Sequence, residues 1–148
     1  MMPRGTGHGD VMRRMIGTII GLVLAIALID AAWELAERWF PATIAADASA
    51  QEMLARFVMA MPLAGQAIIA AGWLLAGLIG AFVALRIGQW RPGGWIVALV
   101  MVADGAWNLT QLAHPLWLQG ATLILPLAGV WLAERHFHRA RSGDPLIN

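Results

Sequence analysis

Two groups of polar residues interrupt the apolar stretches of this chain, and both groups have the same spacing. At positions i, i+4 and i+7 they are Asp30, Glu34 and Glu37, and then Asp104, Asn108 and Gln111. Residues at this spacing share one face of an α-helix. A carboxylate within an apolar segment is costly unless it faces water or a partner, so such residues mark ion sites, proton relays or buried hydrogen bonds. The chemistry they predict is binding of a cation, a proton or a polar headgroup.

The two groups belong to a longer repeated pattern. The sequence Asp-Ala-Ala-Trp-Glu-Leu at 30–35 is matched by Asp-Gly-Ala-Trp-Asn-Leu at 104–109. A second pair of matched segments, at 78–86 and 127–135, follows in the same order. We therefore predict two parallel-repeat helical hairpins, related by an axis along the membrane normal. Such an axis would bring the Asp30 and Asp104 helices face to face.

The composition is that of a membrane protein. Of the 148 residues, 59% are hydrophobic and only 13% are charged, against roughly 25% charged residues in soluble domains. The absence of cysteine excludes disulfides, thiolate metal sites and thiol nucleophiles. The arginines lie at segment ends and form no basic groove, so we expect no nucleic-acid partner.

Four apolar segments are long enough to cross a bilayer, whose hydrocarbon core of ~30 Å requires about 20 helical residues. The fold class predicted is an all-α membrane protein with a four-transmembrane-helix bundle. The predicted spans are residues 15–39, 66–86, 94–112 and 115–134, within a transmembrane domain at 15–135, flanked by a disordered cytoplasmic tail at 1–14 and a second cytoplasmic tail at 136–148. Pro126 lies inside the fourth span and is expected to kink it.

The start of the chain allows a second interpretation. Arginines followed by an apolar run from Met15 also fit a secretory signal peptide. The matching segment at 104–111 cannot be a leader, and we therefore favour a retained first helix.

A stripe of small residues marks the second span. It repeats at every fourth position and consists of Gly72, Ala76, Gly80, Ala84 and Gly88. Helices in lipid associate through close backbone approach at such residues, because little hydrophobic force acts between them. We predict that this helix is the most tightly packed.

The only long connection, at 41–65, contains a predicted helix at about 49–61. Ser49 and Glu52 have the spacing of a capping box, which marks a helix start. The apolar residues that follow share one face, and they are Met53, Leu54, Phe57, Val58 and Met61. A short amphipathic helix on the outer membrane surface fits this pattern best. A cap packed over the bundle is the alternative.

The arginines predict the orientation. Three lie in the N-terminal tail, two at the 86–91 turn and three beyond residue 134, which is eight of the ten. Because cytoplasmic loops carry the excess of basic residues, we expect both termini in the cytoplasm, in a bacterial inner (cytoplasmic) membrane.

The candidate site is an outward-facing polar pocket. Its predicted ligand- or cation-binding residues are Asp30, Glu34, Asp104, Asn108, Gln111 and His114. The alternative is structural, with the two aspartates hydrogen-bonded across the bundle to set its register. His114 fits an interfacial residue better than a metal ligand, and we expect no metal and no cofactor.

The segment Gly77–Ile87, together with Asn108 and the run His114-Pro115-Leu116-Trp117, resembles a family of small uncharacterised bacterial four-helix membrane proteins. The resemblance covers the last three helices best. It implies a four-span inner-membrane protein and carries no activity, and Glu34 and Glu37 lie outside it.

Two hypotheses about function follow. The first is a module that binds, or helps to transport, a cation, proton or polar headgroup. The second is a structural or accessory subunit that packs on a membrane-protein partner, or on its own copy, through small-residue faces. Paired carboxylates could also do acid–base chemistry, but no phosphate loop, nucleophile–base pair or HExxH motif is present, which argues against an enzyme.

Overall fold

The computed structural model describes residues 7–41 and 49–142. Within these ranges every regular element is a helix and none is a strand, as the sequence predicted. The five helices are α1 His8–Trp39, α2 Ala50–Ala60, α3 Leu63–Gly88, α4 Arg91–Gln111 and α5 Leu116–Ser142. Three of them, α1, α3 and α5, are long and apolar enough to cross a membrane. The protein is therefore a helical membrane protein by length and composition.

Helix α4 has the length of a span but not the hydropathy of the other three. It comprises 21 residues, which corresponds to about 31 Å of helix. Its apolar run is short because polar residues occupy both ends of the helix. They are Arg91 at the start and Asp104, Asn108, Thr110 and Gln111 in the last two turns.

Helix α3 is the centre of the bundle, because it packs against α1, α4 and α5. Its small-residue stripe forms the contact with α1, the most extensive in the protein. A Cβ atom added to Gly80 would lie 2.7 Å from the carbonyl oxygen of Gly21 and 2.8 Å from the Cβ of Ala25. At the next glycine of the stripe, Gly72, an added Cβ would collide with Ala32. Glycine and alanine are needed here because any larger side chain would separate the two helices.

A second close crossing joins α3 to α5. A Cβ atom on Gly129 would lie 2.7 Å from the carbonyl oxygen of Leu74, and one on Gly77 would lie 2.6 Å from the Cα of Pro126. Helix α5 continues as one element through Pro126. Gly80 and Gly129 correspond in the sequence repeat, yet Gly80 packs on α1 whereas Gly129 packs on α3. The sequence repeat therefore does not extend to these two contacts.

Two predicted boundaries require correction. Helix α1 begins at His8, so residues 8–14 are helical and not part of a disordered tail. Asp10 stabilises the start of the helix through its negative charge, and its carboxylate accepts a hydrogen bond from Arg13 at 3.3 Å. Residues 1–6 lie outside the described part. Helix α5 extends to Ser142, beyond the predicted end at residue 134, because no glycine or proline lies between that end and Gly143. The remaining residues, 143–148, also lie outside it.

The capping box of α2 is confirmed. The backbone N–H of Glu52 donates to the Ser49 Oγ at 3.2 Å, and the Ser49 N–H donates to the Glu52 carboxylate at 3.0 Å. The C-terminal half of the helix packs over the bundle, with Val58 fully buried beside Ala70 of α3 and Leu118 of α5. Met53, at the other end of the predicted apolar face, is 40% exposed. The last turns of α2 thus form a cap, while the side chain of Leu54 lies outside the description.

Candidate functional site

A cavity of about 350 Å³ lies between the C-terminal halves of α1 and α4. Most of its wall is apolar, and its polar residues are two carboxylates and one amide. The lining consists of Ile26, Ile29, Asp30 and Trp33 from α1, Val100, Met101, Asp104 and Asn108 from α4, and Leu112 after α4. Asp30 and Asp104 therefore meet at one site although they belong to helices far apart in the sequence.

The packing of α4 sets which of its faces lines the cavity. Gly105 is buried against α5, and a Cβ atom there would lie 2.7 Å from the Thr122 Cγ2. This contact leaves the neighbouring Asp104 on the side of the helix that faces α1. Asn108, one turn later, donates through Nδ2 to the backbone carbonyl of Asp104 at 3.1 Å and to its carboxylate at 3.4 Å. The amide thereby holds the carboxylate at the cavity wall.

The electrostatics of the cavity favour a positively charged occupant. Two ionised carboxylates that share a small space repel each other, and a cation between them replaces this repulsion with two attractions. Both carboxylate side chains are exposed, so an occupant can reach them from outside the protein. Trp33 adds an aromatic surface, which attracts cations through its ring.

The six candidate residues do not all meet. Only Asp30, Asp104 and Asn108 line the cavity, whereas Glu34, Gln111 and His114 lie outside its lining. Glu34 and Gln111 are both exposed, and Gln111 donates to the Thr110 hydroxyl at 3.2 Å. Both lie closer to the helix ends than the aspartates do, so they reach the rim of the bundle and not its interior.

His114 is buried in the short connection between α4 and α5, with 6% of its surface exposed. Its ring meets that of Trp33 edge-on, at 6.3 Å between centroids, and its Nδ1–H donates to the Leu112 carbonyl at 2.8 Å. Burial lowers the pKa of His114, because desolvation favours the neutral form of the ring. Because Trp33 and Leu112 both line the cavity, His114 positions the wall without entering it.

Two polar residues that sequence reasoning did not select are central to the structure. Gln66 is buried at the start of α3, where its Nε2 donates to the carbonyls of Val58 at 3.1 Å and Met61 at 2.9 Å. Its Oε1 accepts from the Trp117 Nε1 at 3.2 Å. These bonds join the ends of α2, α3 and α5. A lone glutamine at the start of an apolar run was the one available signal.

The second is Glu134, near the other end of the bundle. It is only 9% exposed. Its carboxylate accepts from the Trp95 Nε1 at 3.1 Å and pairs with Arg91 at 3.4 Å. Glu134 is the last residue of the predicted fourth span, and its side chain joins α4 to α5.

Within residues 7–41 and 49–142, no group of three or more His, Asp or Glu side chains is placed to hold a metal ion.

No family model, curated protein or solved structure matches this chain. The class defined by the fold and the cavity is therefore a helical membrane protein with an acidic cavity between two helices.

Proposed function

We propose that this protein binds a small organic cation in the cavity between α1 and α4. The observation that supports the proposal is the convergence of Asp30 and Asp104, from separate helices, on one mostly apolar cavity. An ammonium group places a positive charge between the two carboxylates, and Asn108 keeps Asp104 in place for that contact.

The lining favours an organic cation over a bare metal ion. Calcium takes six to eight oxygen ligands, more than two carboxylates and one amide supply. The volume of about 350 Å³ is within the range of small-molecule sites. Ile26, Val100 and Leu112 offer apolar contacts that suit the hydrocarbon part of an amine.

The membrane arrangement we propose has four spans, with α4 as the third. Antiparallel hairpins α1–α3 and α4–α5 would then be joined at the turn between Gly88 and Arg91. Gly17 of α1 lies close to Gly88 of α3, and Arg91 of α4 pairs with Glu134 of α5. These contacts support an arrangement in which all four helices reach the same end of the bundle at these residues. Because this end carries most of the arginines, we propose that it is cytoplasmic, in a bacterial inner membrane. The cavity would then open toward the outside.

The second hypothesis is an accessory subunit that binds a partner, or its own copy, through small residues, and the stripe of α3 does not support it. The glycines and alanines of α3 that would form the contact surface are buried against α1. They are consequently not available to another chain.

Calorimetric titration of the purified protein in phosphatidylcholine nanodiscs tests the proposal. We expect saturable binding of ethylammonium or tetramethylammonium, weaker or no binding of Na⁺ and Mg²⁺, and loss of binding in the Asp30→Asn/Asp104→Asn double variant. Glu34→Gln is the matched control, because Glu34 is an exposed acid on the same helix outside the cavity lining. Tighter binding of Na⁺ or Mg²⁺ would show that the site prefers an inorganic cation. Binding that persists in the double variant would show that the cation does not bind in this cavity.

A further inference from the structure

A second cavity lies at the opposite, arginine-rich end of the bundle. It is a groove of about 460 Å³ between the first half of α1 and the start of α4. Residues of one face of α1, from Val11 to Ile19, line one side, and Trp90 and Ile96 line the other. The α1 side extends for about 12 Å along the helix axis. Its lining is apolar apart from Arg14 and Thr18.

Arg14 stands at the junction between charged and apolar sequence. Its guanidinium carbon lies 5.8 Å from the centre of the Trp90 ring, and the charge-free stretch 15–29 follows it directly. Tryptophan and arginine at such a junction lie at the depth of lipid headgroups. The groove continues from this pair toward Ile19, which is the direction of the hydrocarbon core.

The charge at this end is not balanced within the described residues. The ion pairs found in residues 7–41 and 49–142 are Arg13 with Asp10 and Arg91 with Glu134, and each uses one of the local acids. Arg14 belongs to neither pair, and its Trp90 partner is neutral. A phosphate would supply the missing negative charge and accept hydrogen bonds from the guanidinium.

From this combination we infer that the groove is a binding site for one anionic phospholipid. The phosphate contacts Arg14, and an acyl chain lies along Met15, Thr18, Ile19 and Ile96. The inference is independent of the proposed function, because the groove and the acidic cavity share no lining residue.

Native mass spectrometry of the delipidated protein tests the site with two lipids that differ only in their headgroups, dioleoyl phosphatidylglycerol and dioleoyl phosphatidylcholine. We expect one phosphatidylglycerol molecule to be retained about tenfold more tightly than phosphatidylcholine, because the choline ammonium offsets the charge of the phosphate in phosphatidylcholine, whereas phosphatidylglycerol keeps a net negative charge for Arg14. Arg14→Gln should remove this preference. Ile19→Trp should weaken phosphatidylglycerol binding although Arg14 is retained, because the indole fills the groove.

Arg135→Gln is the matched control. Arg135 also lies over a tryptophan, 5.3 Å from the Trp131 ring centre, but neither residue lines this groove. Equal retention of the two lipids by the wild type, an unchanged preference in Arg14→Gln, or an equal loss in Arg135→Gln would overturn the inference. If Ile19→Trp does not fold, as judged by circular dichroism, the comparison of the two arginine variants still decides.

Discussion

Asp30 of α1 and Asp104 of α4 line the same cavity, and Asn108 donates a hydrogen bond to the Asp104 carboxylate. If both carboxylates contact one bound cation, their contributions to affinity are coupled. We expect Asp30→Asn and Asp104→Asn each to weaken ethylammonium binding at least about tenfold, with a double variant that loses less than the sum of the single losses. Calorimetry over the complete double-mutant cycle measures this coupling. The same cycle between Asp30 and Glu34 should be additive, since Glu34 lies outside the cavity, and additivity in both cycles would exclude a shared ligand.

The α1–α3 contact predicts a strong dependence on glycine. Gly80→Ala should destabilise the protein by about 1–3 kcal/mol, because the added methyl group meets the Gly21 backbone and Ala25. Gly120→Ala is the control, since an added Cβ there has no heavy atom within 4 Å. It should leave stability unchanged or slightly raised, as alanine favours the helix more than glycine does. Unfolding in dodecyl sulfate mixed micelles, followed by circular dichroism, measures both, and equal effects of the two substitutions would contradict the packing described.

The hydrogen bonds of the Gln66 side chain should stabilise the protein in addition to the packing of its apolar atoms. Gln66→Leu keeps a similar volume but removes the hydrogen-bond partner of the Met61 carbonyl and of the Trp117 N–H. The Val58 carbonyl would keep only its bond from the Met61 N–H. We expect a loss of at least about 2 kcal/mol in the same unfolding assay. Gln111→Leu, at an exposed glutamine that bonds only to the adjacent Thr110, should change stability by no more than about 0.5 kcal/mol. Comparable losses in both variants would show that the buried hydrogen bonds of Gln66 make no special contribution to stability.

The capping box makes the start of α2 sensitive to acid. Hydrogen bonds from the backbone and then the hydroxyl of Ser49 lower the pKa of Glu52 below its ordinary value of about 4.5. A carboxyl whose pKa is lowered by folding stabilises the folded helix above the ordinary pKa, and this stabilisation is lost as the pH falls through the lower, folded value. Hydrogen-exchange protection of the Glu52 amide should therefore decrease in that window. In Glu52→Gln it should not depend on pH there, and a decrease of the same size would assign the effect to another group.

The proposed topology can be tested by labelling, because the chain has no natural cysteine. Gly7 precedes α1 and is exposed, and Met53 is an exposed residue of α2. We expect a membrane-impermeant maleimide to label Met53→Cys in intact cells and Gly7→Cys only after permeabilisation. The opposite pattern would show that the protein has the reverse orientation in the membrane. Labelling of both residues from outside would show that α1, which lies between them, does not cross the membrane.

Several features could be predicted from the sequence because they depend on residues three or four positions apart. The capping box of α2 needs only Ser49 and Glu52, and both sides of it are present. The shared face of Asp104 and Asn108 follows from helical periodicity alone, as does the stripe of small residues on α3. The helical class follows from the length of the apolar runs, since only helices satisfy the backbone over such distances in lipid.

The cavity and the buried polar contacts required the tertiary structure. Helix α3 is apolar on all sides, so its sequence does not specify which face meets α1, α4 or α5. The rotation of each helix about its axis is set by the closest glycine contacts, such as Gly80 with Gly21 and Gly129 with Leu74. Those rotations bring Asp30 and Asp104 to one cavity and leave Glu34 at the rim. They also bury Gln66 and Glu134, whose partners lie on other helices and leave no periodic signal in the sequence.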